Sequence, residues 1–301
     1  MNELVEAADL SELLGEAGID YKDMNFEELY DKISVSEKHI GLVDSIKTKI
    51  RGYFSGMEIT EGATIYDKLV LSLRKKDLIA TFNWDPLLLQ AYRRCGKYTH
   101  ESPRLAFLHG NVGVGICEKD KTTGVLGNMC SKCLGTFEPV ELLYPIKNKN
   151  YNQTLLLRDE WKMLKSHLKH AYFITIFGYR APTSDVNARS IMKKAWNKNT
   201  TKPFSQIEII ARPGVSEESV YQSWDDFIIS HHYEVVNDFH ESYIARHPRR
   251  TCDAFAMQSL QCDPWHDNPI PRKTSLTDLL KWLEPLLKEE KADKGFSGLR
   301  C

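Results

Sequence analysis

With 301 residues, 42% of them apolar and 27% charged, the chain has the composition of an ordinary globular protein of one large or two modest domains. A net charge of −1 supplies no field for nucleic acid or anionic lipid. No apolar run reaches the ~18 residues of a membrane span, and the first thirty residues are acidic rather than signal-like. Seven scattered cysteines, an odd count, argue against a secreted disulfide framework, so the cytoplasm is the expected compartment.

Residues 1–60 read as helical, with apolar residues three and four apart in "NELVEAADLSELLGEAG" and "NFEELYDKI" and with Gly15 and Gly18 suited to helix ends. "IYDKLVLSLRKK" predicts a further helix, "DLIATFN" a strand, and "WDPLLLQAYRRC" a helix begun by Asp85 and Pro86. "RLAFLHG" (104–110) reads as a second strand, and residues 111–135, rich in Gly, Lys and Cys without helical period, as an insertion. An amphipathic helix "LRDEWKMLKSHLKHA", a fully buried strand "YFITIFGY", a helix "DVNARSIMKKAW" and a third buried strand "SQIEIIARPG" follow. From about 215 the pattern reads as helical, through a Pro- and Asp-rich loop at 263–273, to a C-terminal helix at 275–290. Strands alternating with helices predict a parallel α/β sheet with its ligand at the carboxyl ends of the strands. There the chain carries "TFNWD", "LHG", "GYRAPTSD" and "ARPG".

These strand ends admit two readings. Asn83 and Asp85 suit a helix cap and turn, and His109-Gly110 suits a tight turn. Placed side by side, however, an imidazole that titrates near neutrality and an amide that orients a sugar or water make a reaction site. Gly178-Tyr179 either lets a ligand approach the backbone, with Ser184 and Asp185 bonding hydroxyls, or forms a plain loop in which Ser184 or Asp185 caps the next helix. Cys117, Cys130 and Cys133, with Asp120 where a second paired cysteine would fall, suit either a Cys3Asp zinc site or an eroded one held by packing. The cluster of His240, His247, Arg249, Arg250 and Cys252 reads as a basic helix–turn–helix corner, and His231-His232 as part of a helix.

The ordered series "TFNWD", "LHG", cysteine-bearing insertion, "LLYPIKNK", a helix with Trp161, and "FGYRAPTSD" resembles the SIR2-like family, relatives of the sirtuins, over about residues 25–212. The resemblance is strongest to the prokaryotic branch associated with NAD-depleting anti-phage defence. It implies a Rossmann-like, mostly parallel sheet and cleavage of the nicotinamide–ribose bond of NAD. Asn83 would orient the ribose or attacking water and His109 would act as general base. Thr81, Asn83, Asp85, Gly178, Tyr179 and Asp185 would contact NAD. An NAD-dependent protein deacylase, and a non-catalytic protein that keeps the fold, are the alternatives. A second copy or a defence-system partner is the implied protein partner.

One family feature is absent: the opening buried strand with its Gly-rich phosphate turn. "LLGEAGID" (13–20) imitates that turn but follows no strand, so it reads as a helix end. The expectation is an amino-terminally shortened relative whose flanking strands lack a central neighbour. Residues 1–214, with an insertion at 111–135, are expected to form the NAD-binding domain, and residues 215–301 a helical C-terminal region.

Overall fold

The computed structural model describes residues 2–21, 23–146, 151, 154–179, 185–225, 227–228 and 232–292. Four helices open the chain: α1 (Asn2–Ala7), α2 (Ser11–Glu16), α3 (Phe26–Ser34) and α4 (Ile40–Ser55). The helical reading of 1–60 holds, but the first segment breaks at Asp9, and "LLGEAG" lies in α2 and its trailing turn. Asn25 starts α3 with a capping box, accepting the Glu27 and Glu28 N–H groups while Glu28 returns a carboxylate oxygen to the Asn25 N–H. These helices bury Leu10, Leu14, Phe26, Ile46 and Ile50 in a core of their own, which also takes in Val112, Leu142 and Tyr144.

Next come α5 (Ile65–Leu71), β1 (Leu78–Thr81), α6 (Leu87–Cys95) and β2 (Arg104–Phe107), the two strands pairing in parallel. The segment read as an irregular insertion forms a small antiparallel sheet of β3 (Val114–Cys117), β4 (Thr122–Val125) and β5 (Glu138–Pro139). Helix α7 (Leu155–Leu168) leads to β6 (Phe173–Phe177), α8 (Val186–Trp196), β7 (Gln206–Ile210), α9 (Glu217–Trp224) and β8 (Tyr233–Val236). Strands β6, β7 and β8 are parallel, in that order. Short helix α10 (Tyr243–Arg246), α11 (Thr251–Gln261) and α12 (Leu276–Ala292) complete the chain. The expected α/β class, with parallel β-α-β units, is the one observed. No helix among the described residues is long and apolar enough to cross a membrane.

Side-chain alternation sorts the strands between two helical layers. Leu78, Ala80, Ile207 and Ile209 face α7, α8 and α9, where Trp161, Leu164, Met192, Trp196 and Trp224 are buried. Ile79, Ile210 and Val236 face the other way, toward Val70, Leu71, Leu88, Ile244 and Leu279. The parallel strands form two ladders, β1–β2 and β6–β7–β8, with no hydrogen-bonded pairing between them among the described residues.

Two elements differ from expectation. The strand read as fully buried, β6, is an edge strand, and Phe177 at its end is 44% exposed. The stretch read as helical after 215 contains β8, where "YEVV" gains a parallel partner in β7. Helical spacing of apolar residues there was outweighed by β-branched valines beside an open strand. The basic corner does form between α10 and α11, and its Arg249 is only 4% exposed. That guanidinium donates to Glu290 of α12 (2.5 Å), to the Leu73 carbonyl beyond α5 (2.8 Å) and to the Glu101 carbonyl before β2 (3.0 Å). Ser184, His231 and Lys147–Asn150 lie outside the described residues, whereas His232 lies just before β8.

Glu208, wholly buried in β7, accepts the Tyr243 N–H (2.6 Å) and the Thr175 hydroxyl (3.2 Å), tying α10 to the sheet. Burial pushes its carboxyl from 4.5 up to about 7, with the Tyr243 N–H holding it partly down. The folded chain therefore keeps this proton more tightly than the unfolded one. The associated stability is full below about 4.5 and lost as pH rises through about 7. Glu160 on α7, also pushed to about 7 by burial, adds a second contribution of the same sign. Chemical denaturation across this range should show wild-type stability falling with pH, and Glu208→Gln should remove a share of up to about 3 kcal/mol. An unchanged slope in that variant would refute the assignment.

Candidate functional site

The pairing of β1 with β2 brings Thr81 beside Phe107, and the Leu108 N–H bonds the Thr81 carbonyl at 2.9 Å. Asn83 and His109 each follow two residues later, so they leave adjacent strands at the same level. The Thr81 hydroxyl accepts the Asn83 N–H (3.0 Å) and shapes the turn. Asp85 Oδ1 accepts the Leu87 N–H (3.0 Å) and so starts α6, as its position before Pro86 suggested. Burial raises the Asp85 carboxyl above its ordinary range, partly countered by that N–H. Tyr66 on α5 adjoins the exposed Asn83; burial and the charge of Asp85 raise the ionisation of its phenol, and the Asn83 amide holds it partly down.

His109 is 7% exposed, and its Nε2 stands 4.0 Å from Asp185 Oδ1. Asp185, 3% exposed at the start of α8, accepts the Tyr179 hydroxyl at 2.9 Å. The Tyr179 ring stacks on Phe82 at 4.2 Å, and Phe82 meets the imidazole edge-on at 4.9 Å. Trp161 packs beside Phe82 and donates its indole N–H to the Leu108 carbonyl (3.0 Å). Burial raises the Tyr179 phenol, and the neighbouring Asp185 adds to it. Glu160 accepts the Phe107 N–H (3.0 Å), which points away from β1 and has no strand partner among the described residues. Asn111, buried, bridges the two loops by donating to the Asp85 carbonyl (2.5 Å) and accepting the Gly113 N–H (2.9 Å).

The expected residues thus form two adjoining groups. His109, Tyr179 and Asp185 meet in an aromatic-walled, nearly dry cluster, and Gly178 closes β6 above them with φ +68°. Asn83 and Asp85 sit at the next strand end beside Tyr66. Sequence reasoning missed Tyr66, Phe82, Asn111 and Glu160. Phe82 and Asn111 adjoin the motifs and were within reach, whereas Tyr66 and Glu160 arrive from separate helices with no local signal. An imidazole between a carboxylate and aromatic rings can take up a proton away from bulk water, and an exposed amide beside a phenol can bind sugar hydroxyls.

In the small sheet, ligand atoms of Cys117, Asp120, Cys130 and Cys133 all lie within 4.8 Å of one another. Cys117 Sγ is 3.4 Å from Cys133 Sγ and 3.6 Å from Asp120 Oδ2, which is 3.3 Å from Cys130 Sγ. A tetrahedral zinc with Zn–S ~2.3 Å and Zn–O ~2.0 Å has edges of ~3.8 Å (S to S) and ~3.5 Å (S to O), so these three distances match it within a few tenths of an ångström. The Thr122 hydroxyl and nearby backbone N–H groups hold the Cys130 thiol low, and the Asp120 carboxylate drives Cys133 up to about 12. Phe137 roofs the cluster so closely that a Cβ on Gly124 would lie 2.3 Å from its ring.

No family model matches the chain, and no curated protein matches it. Among solved structures it is similar to a Sir2 homologue mutant in complex with ADP-ribose, at 12% identity over 92% of this chain and 90% of that one, with a TM-score of 0.41. It is also similar to a Sir2 homolog–NAD complex, at 13% identity over 91% and 87% of the two chains, TM-score 0.36. A Sir2 complex with 2′-O-acetyl-ADP-ribose and a deacetylated peptide is similar at 13% identity over 86% and 98%, TM-score 0.36. What the fold and site themselves define is an α/β protein with a buried histidine–carboxylate pair at the carboxyl ends of parallel strands.

Gly110 follows His109 with φ +77°, and a Cβ there would lie 2.7 Å from the Glu141 carbonyl oxygen. Gly178, also at positive φ, has open space around it. Gly110→Ala is therefore expected to lower unfolding stability by about 1–3 kcal/mol and Gly178→Ala by less. Equal losses in thermal unfolding would contradict this packing account.

Proposed function

We propose that the chain hydrolyses NAD at its nicotinamide–ribose bond. The reading is carried by the His109–Asp185 pair, set beside Asn83 at the carboxyl ends of β1, β2 and β6. Water adds to the ribose carbon as its bond to the pyridinium nitrogen breaks. The bonding electrons leave with nicotinamide, which departs neutral. His109 accepts the water proton, and the Asp185 carboxylate stabilises the resulting imidazolium. Asn83, with Tyr66 behind it, orients the ribose hydroxyls or the water, and Asp85 and Thr81 brace that turn. Gly178 leaves room for the cofactor to approach β6. Depletion of NAD in anti-phage defence is the role assigned, on the order of motifs alone.

A second reading, a non-catalytic protein that keeps the fold, is favoured by one observation: Phe82 and Tyr179 stack directly beside an almost fully covered His109. Catalysis requires these rings to part.

Purified protein incubated with NAD should release nicotinamide without any acylated peptide, and His109→Ala or Asn83→Ala should each lower that rate ~10²-fold or more. Release that depends on the peptide would make the protein a deacylase. No release and no NAD binding would favour the non-catalytic reading.

Cys117, Asp120, Cys130 and Cys133 would hold Zn2+ in a closed four-ligand site that staples β3 and β4 and takes no part in the reaction. Metal analysis should find about one zinc per chain, lost in Cys130→Ser, with chelation lowering the melting temperature of the wild type only. Zinc-free wild-type protein from zinc-supplemented cells would defeat this assignment.

A further inference from the structure

His240 stands in the turn after β8, at the carboxyl end of the sheet, and its side chain is largely covered. Its Nδ1 lies 3.2 Å from Asp238 Oδ1, which also accepts the His240 backbone N–H at 2.9 Å. On the other side, Nε2 lies 3.1 Å from the Nζ of Lys68 on α5. Lys68 is buried and also donates to the Arg272 carbonyl (2.5 Å), in the segment that leads into α12. The Arg272 guanidinium returns to Asp238. Three distant parts of the chain therefore meet at one imidazole.

These contacts settle where the ring carries its proton. An ammonium can only donate, so Nε2 offers its lone pair to Lys68, and Nδ1 holds the hydrogen that faces Asp238. The charged groups facing the ring are Lys68 from α5, Arg272 from the segment before α12 and Asp238 from its own turn. Asp67, next to Lys68, is engaged by Arg94, and the Phe239 ring meets the imidazole edge-on. Two cations thus already share the carboxylate of Asp238. A protonated ring would add a third, with its Nε2–H aimed at an ammonium. Burial lowers the imidazole below its ordinary range, the Asp238 contact holds it partly up, and the charges of Lys68 and Arg272 push it down again.

We propose that Lys68, His240 and Asp238 form an acid-sensitive latch, in which proton uptake at His240 Nε2 breaks the contact with Lys68 and releases the Arg272 segment from α5. Exposure decides which side gives way. Lys68 is buried, whereas Arg272 and residues 261–269 before it are exposed. That stretch is pinned by the Asn268 N–H on the Arg246 carbonyl (2.9 Å) and the Ile270 N–H on the Ala245 carbonyl (2.8 Å). Folded His240 takes its proton at lower pH than the unfolded chain does. Its share of stability is present above 6.5 and lost on acidification, opposite in sense to that of Glu208 and Glu160. Local readouts therefore separate the latch from global unfolding.

Nuclear magnetic resonance of the full chain, followed from about pH 8 to about pH 5, reads the ring directly. At neutral pH the nitrogen shifts should show the Nδ1–H tautomer, and the wild-type midpoint should lie below 6.5. Lys68→Met, which keeps an apolar stem in the buried place and removes the charge, should raise that midpoint. On crossing it, protection of the Asn268 and Ile270 amides against hydrogen exchange should drop by about 10-fold or more in wild type, the scale of one charge-assisted hydrogen bond. His240→Gln offers Lys68 an acceptor that cannot titrate, and should hold that protection to about pH 5. An Nε2–H tautomer, a midpoint at or above 6.5, or a midpoint unmoved by Lys68→Met overturns the latch. Equal loss of protection in wild type and His240→Gln overturns the release of the Arg272 segment.

Discussion

The parallel pairing of β1 with β2 is the constraint on which the site depends. Once Thr81 stands beside Phe107, Asn83 and His109 must leave the sheet together, because each chain advances equally per residue. A slip of one residue would turn the side chains of one strand to the opposite face from those of the other. Several interactions guard that register. Glu160 occupies the outward N–H of Phe107, Trp161 holds the Leu108 carbonyl, and Asn111 ties the two loops across the top. All three are buried or partly buried polar bonds, so each would be costly to break.

Burial shapes the surroundings of the histidine. His109 and Asp185 come from distant parts of the chain, yet share an aromatic enclosure in which water competes weakly for either. The same packing covers His109 with the Phe82–Tyr179 stack, and under the proposed hydrolase reading these rings would have to part before a ligand could reach the imidazole.

Much of this was legible beforehand. Regular alternation of apolar strands with amphipathic helices announced the α/β class, and the polar residues after the strands do lie together at the strand ends. The cap role of Asp85 and the Cys3Asp constellation followed from spacing along the chain. Strand β8 was not legible, since "YEVV" lies in a stretch whose apolar spacing also fits a helix and becomes a strand only beside β7. The edge position of β6 was hidden for a similar reason: apolar strands look alike whether they have one neighbour or two. Tyr66, Glu160 and the Lys68–His240 contact depend on helices folding back from far along the chain.

The sequence by itself determined the local devices: the capping box at Asn25, the turn at Asn83 and Asp85, the positive-φ glycines and the close-set cysteines with Asp120. These depend on residues only a few positions apart, whose backbone preferences act without distant help. Only the tertiary structure decided that His109 faces Asp185 and that Glu160 of α7 meets the outward N–H of Phe107. Those contacts join residues more than 40 positions apart, fixed by packing that no short stretch encodes.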